Sequence, residues 1–88
     1  MNNLSGDDAV RRKRLLWRAT HRGIKEMDLI LGGFVARHLQ EFDPAELDEL
    51  EAIMTLPDQE MLAWATKQVD IPAADASPLM LRILDFKP

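Results

Sequence analysis

The chain has no cysteine and no tyrosine among its 88 residues. Without cysteine there are no disulfides, no thiolate metal sites and no cysteine nucleophile. There are only two histidines, His21 and His38. Without cysteine partners they give no metal-ligand spacing, so no metal site is expected. No run approaches the ~20 consecutive apolar residues that span a bilayer, so direct membrane insertion is not expected. The opening MNNLSGDDAV lacks the basic-then-apolar order of a signal peptide, and its aspartates argue against a mitochondrial presequence. The expectation is a cytoplasmic, bacterial protein. No G-x-G-x-x-G phosphate cradle occurs, nor any nucleophile–base pairing, so neither a dinucleotide fold nor an enzyme with catalytic residues of its own is expected. Alternating strand patterns are also missing, β-branched residues are few, and no internal repeat is visible.

What is present is an apolar content of 47 %, enough for a folded core in one small domain. The domain is expected to cover 1–88, with 1–6 flexible and 86–88 as a tail. The net charge of −4 hides an asymmetry. Most of the basic residues fall early: Arg11, Arg12, Lys13, Arg14, Arg18, Arg22 and Lys25. The stretch from Glu41 to Glu60 is acidic and contains no Lys or Arg. One basic end and one acidic flank give a field that can steer a partner.

The fold class expected is all-α, a small five-helix bundle. Asp7 or Asp8 can cap a first helix that runs to about Thr20. Gly23 breaks the pattern, having no Cβ to bar it from turn conformations. In the second helix, about 24–41, Ile24, Met27, Leu31, Phe34, Val35, Leu39 and Phe42 share one arc of about 140°. Asp43-Pro44-Ala45-Glu46 is a capping box with proline at the first helical position, and Phe42 and Leu47 are placed as a hydrophobic staple. Pro57 separates the third and fourth helices, and Asp58 and Glu60 favour the fourth helix's N-terminus. Ser77-Pro78 opens a short last helix. Trp17, Trp64 and His38 read as core residues, the histidine with one hydrogen-bond partner.

The second helix carries three anomalies. Glu26 points away from the apolar stripe, yet Leu29, Ile30, Gly33 and Arg37 share its face. Apolar groups rimmed by charge mark a contact surface; the alternative is a central helix buried on most sides. Asp28 falls inside the apolar arc, where a carboxylate needs donors. A capping or helix-pinning role is the structural reading, and a catalytic acid the minor one. Gly32-Gly33 sits mid-helix at about 1 kcal/mol each relative to alanine, which close approach of another helix or a partner would explain.

Arg22-Gly23-Ile24-Lys25-Glu26 has the form R-G-x-x-E, followed by Met27-Asp28 and the leucine-rich LILGGF. With a basic helix before it and an acidic, Trp-containing half after it, the chain resembles the SdhE family of succinate dehydrogenase FAD assembly factors over about 11–70. Met27 stands where leucine is frequent, and Lys25 is more basic than usual. The resemblance implies a five-helix bundle that binds the flavoprotein subunit of succinate dehydrogenase, and in bacteria that of fumarate reductase. It implies promotion of covalent FAD attachment to a histidine of that subunit, with no cofactor held stably by the chain itself. Arg22, Gly23 and Glu26 would be the recognition residues, supported by Asp28, with Leu29, Ile30, Gly33 and Arg37 extending the surface. A monomer is expected. The competing class is a nucleic-acid-binding module using the basic first helix. The acidic total and the lack of aromatics interleaved with the basic run oppose it, so no nucleic acid is expected as a partner.

Overall fold

The computed structural model describes the backbone from Leu4 to Pro88 and the side chains from Asp7 onward. Helix α1 spans Leu4–Thr20. It starts ahead of the expected cap, so Asp7 lies in its first turn. Of the segment expected to be flexible, residues 1–3 lie outside the described residues. Arg12, Leu15 and Ala19 recur at helical spacing and form the buried face of α1. Arg12 is the one buried charged residue among those described. Its guanidinium pairs with Asp8 at 2.6 Å and donates to the carbonyls of Leu39, at 2.5 Å, and Phe42, at 2.7 Å. It therefore satisfies the end of the next helix.

Helix α2 changes pitch along its length. It is α-helical over Lys25–Met27, π-helical over Asp28–Gly32, α-helical again over Gly33–His38, and closes as a 3-10 turn over Leu39–Glu41. The apolar stripe is as expected: Met27, Leu31, Phe34, Val35 and Phe42 are buried, with Ile24 and Leu39 packed at the edge. Gly32 faces α1. A Cβ there would stand 2.8 Å from Thr20 Cγ2 and 3.0 Å from the Ala19 carbonyl oxygen. The helices approach so closely that any side chain at that position would have to displace Thr20 and the α1 backbone.

Helix α3, Pro44–Ile53, begins with the capping box in full: Asp43 Oδ1 accepts from the Glu46 N–H at 2.8 Å, and Glu46 Oε1 accepts from the Asp43 N–H at 2.9 Å. Helix α4, Asp58–Ala65, follows Pro57 and ends with Lys67 in the left-handed region at φ 65°. A 3-10 turn over Ala73–Asp75 leads to α5, Pro78–Leu84, whose cap Ser77 accepts from the Met80 N–H at 3.1 Å. No strand occurs among the described residues. The core draws on all five helices, through Leu15, Met27, Leu31, Leu47, Leu50, Met61, Met80 and Ile83, each fully buried. Burial of side chains of this size contributes up to roughly 1.5–3 kcal/mol each. No helix among the described residues is long and apolar enough to cross a membrane.

Two residues read as core stand elsewhere. Trp64 is buried as expected, but Trp17 is 62 % exposed. Its ring stacks on His21, centroids 4.2 Å apart and planes 12° apart, on the outside of α1. The face of α1 that carries Arg12, Leu15 and Ala19 is already taken by α2, so Trp17 has no neighbouring helix to cover it. His38 is half-buried rather than enclosed. It packs against Phe34 at 4.6 Å and finds the single expected partner in Glu41, at 3.0 Å.

Candidate functional site

The turn joining α1 to α2 is built by Arg22, Gly23 and Ile24. Gly23 has φ +97°, a conformation that other residues rarely adopt, and a Cβ there would meet nothing within 4 Å. Glycine is thus required by the backbone's conformation and not by crowding, and the space in front of it is open. Glu26 makes no capping bond to the start of α2. It is exposed, and among the described residues its carboxylate has no hydrogen bond or ion pair within the chain.

Asp28 does what a misplaced carboxylate must. Its Oδ1 accepts from the backbone N–H of Arg22 at 2.5 Å, pinning the turn to the first turns of α2. The structural reading of Asp28 is the one the geometry supports.

Arg22 is placed differently from the recognition role implied by the resemblance. Its Nε donates to Asp58 Oδ1 at 2.9 Å and its Nη2 to the Met54 carbonyl at 2.8 Å. The two side chains of this ion pair are only 11 and 15 % exposed. Met54 is the C-cap of α3 and Asp58 lies in the first turn of α4. The guanidinium thus occupies the α3–α4 corner, satisfying a helix-end carbonyl where the dipole favours a cation. Asp58 was legible in the sequence only as a helix-start charge; nothing local ties it to Arg22.

The surface expected to extend along α2 is only partly open. Leu29 is 48 % exposed, and Lys25 and Arg37 are exposed. Ile30 is half-buried against the core. Gly33 is half-buried under Phe86, whose Cε2 lies 2.7 Å from where a Cβ would stand. The expectation that Ile30 and Gly33 share an open face with Glu26 is corrected. The core takes up one side of Ile30, and Phe86 from the chain's own tail covers the face at Gly33.

The basic run is partly neutralised. Arg11 bridges Asp48 and Glu51 on α3, both at 2.6 Å, and the hydrogen bond it donates to Asp48, followed by the one it donates to Glu51, holds its pKa above the ordinary value. With Arg12 and Arg22 also engaged, Lys13, Arg14, Arg18 and Lys25 are the early cations without an ion pair among the described residues. No cluster of three or more potential metal ligands occurs among the described residues.

The family model described as "Flavinator of succinate dehydrogenase" matches residues 13–87, which takes in the turn, the π-turn, Asp58 and the Phe86 tail. The chain belongs to that family. Among curated relatives, the FAD assembly factor SdhE of Acetobacter pasteurianus is 36 % identical over 77 residues, covering 88 % of this chain and 71 % of that protein. The mitochondrial succinate dehydrogenase assembly factor 2 of Scheffersomyces stipitis is 42 % identical over 62 residues. That alignment covers 70 % of this chain and 42 % of the yeast protein; for the Debaryomyces hansenii counterpart, also 42 % identical, the shares are 70 % and 44 %. The chain thus spans less than half the length of these fungal relatives. No solved structure matches it. These relatives are named as assembly factors, in agreement with the family resemblance read from the sequence.

Proposed function

We propose that this chain binds the flavoprotein subunit of succinate dehydrogenase and promotes covalent attachment of FAD to it, with the fumarate reductase flavoprotein as a further client. The observation that carries the reading is the two-sided construction of the turn. Behind it, Asp28 and Asp58 hold the backbone and side chain of Arg22. In front, Gly23, Lys25, Glu26 and Leu29 face solvent. A surface fixed from behind loses little freedom on binding, so its contacts are not offset by ordering.

The chemistry in this reading belongs to FAD and the client. The chain has no phosphate cradle and acts by favouring the client conformation in which the flavin faces its acceptor histidine. It works as a monomer in the bacterial cytoplasm and is not itself an enzyme. A nucleic-acid role is disfavoured because Arg11 and Arg12, half of the RRKR run, are engaged within the chain. The test is co-expression with a succinate dehydrogenase flavoprotein subunit, read by in-gel flavin fluorescence. Covalent flavin should rise when the chain is present. Equal fluorescence with and without it would overturn the proposal.

A further inference from the structure

We infer that Asp58 is a positioning residue for client recognition, and that Arg22 of R-G-x-x-E acts through Asp58 rather than by touching the client. The inference rests on the reading above that the turn meets the client.

An arginine that recognises a partner must present its guanidinium outward. Here it points into the α3–α4 corner, where Asp58 and the Met54 carbonyl take its Nε and Nη2 donors. Its backbone N–H is taken as well, by Asp28. Arg22 is therefore tied by its side chain to two helices and by its backbone to a third. The next residue, Gly23, has open space before it and a left-handed φ that nothing in its own side chain can enforce. The direction in which Gly23, Lys25 and Glu26 are displayed then depends on where Arg22 is anchored, and the anchor is Asp58. Both ends of the pair are electrostatically placed, the cation at the C-terminus of α3 and the carboxylate in the first turn of α4. An uncharged isostere at 58 keeps the shape but loses the ion pair, leaving the guanidinium a neutral and weaker acceptor.

The experiment is a double-mutant cycle in the full chain, using Asp58→Asn, Arg22→Gln and the double variant, with affinity for the isolated flavoprotein subunit as the readout. Circular dichroism confirms each variant folded at the assay temperature; Asp58→Glu replaces Asp58→Asn should the latter unfold. Each single change should weaken binding roughly tenfold, and the double should be no worse than the worse single. Additive losses would show that Arg22 contacts the client itself, and wild-type affinity in Asp58→Asn would show that the pair serves stability alone; either overturns the inference. Amide hydrogen exchange supplies a readout that needs no client. Asp58→Asn should accelerate exchange at the Arg22 amide while leaving Leu31 and Val35 protected, and unchanged exchange at Arg22 overturns the inference. Failure of the wild-type chain to bind the subunit would instead remove the functional reading, with exchange still deciding whether Asp58 positions the turn.

Discussion

The ring of Phe86, two residues from the end of the chain, lies on Gly33 in the middle of α2 and meets Phe34 edge-on, with centroids 5.9 Å apart. The two glycines of α2 are therefore kept for different reasons. At Gly32 the obstacle to a side chain is the Thr20 methyl together with the α1 backbone behind it; at Gly33 it is the tip of one aromatic ring. Gly32→Ala should destabilise the domain by about 1–3 kcal/mol, because α1 and α2 must separate. Gly33→Ala should stay within about 1 kcal/mol of the parent, since better helix propensity offsets the displaced ring. Urea denaturation of the two variants measures the contrast, and equal losses would show that the Phe86 contact is as rigid as the helix packing.

Neighbouring aliphatics on α2 should respond in opposite ways. Leu29→Asp places a charge on an exposed position and should leave the denaturation midpoint nearly unchanged. Ile30→Asp buries a carboxylate against the core without donors and should cost about 2–4 kcal/mol. Circular dichroism melts of both variants check this. In a pull-down with the flavoprotein, only the Leu29→Asp result reports on the client surface.

Glu26 is exposed, and its carboxylate makes no hydrogen bond or ion pair within the chain among the described residues. Glu26→Ala should shift stability by less than about 0.5 kcal/mol. It should nonetheless lower covalent flavin in the client sharply. A folded variant with normal flavin fluorescence would remove Glu26 from the recognition surface.

Arg12 supports the end of α2 from inside the molecule, with two carbonyls and Asp8 as its partners. Arg12→Met keeps much of the length but leaves those carbonyls unpaired. A loss of about 3 kcal/mol is expected, read as a lower midpoint with an unchanged denaturant slope.

Lys67 holds a left-handed φ of 65° just past α4, where glycine is the usual residue. Lys67→Gly should therefore raise stability by about 0.5–1 kcal/mol, less than the full relief because glycine also frees the unfolded chain. A thermal melt decides it, and a fall in midpoint would mean that the lysine side chain contributes packing of its own.

Features that depend on residues a few positions apart are legible along the chain. Asp43-Pro44-Ala45-Glu46 and Ser77-Pro78 mark helix starts because the capping bonds run from a side chain to an N–H three residues on. The stripe from Ile24 to Phe42 marks a buried face because helical periodicity is local, and the carboxylate in that stripe announced that it needed a donor. The family was also legible, through R-G-x-x-E at a helix start with Asp28 two residues on, in a five-helix pattern of this length. Which way the turn faces is set by packing between distant elements. Arg22 and Asp58 stand 36 positions apart and meet only because α3 and α4 make a corner beside the turn. Trp17 lies outside because α2 takes the other face of α1, and Gly33 is covered because the tail returns across α2. Periodicity states which face of a helix is apolar; what covers the remaining faces depends on how the helices and the tail pack, and no local pattern encodes that.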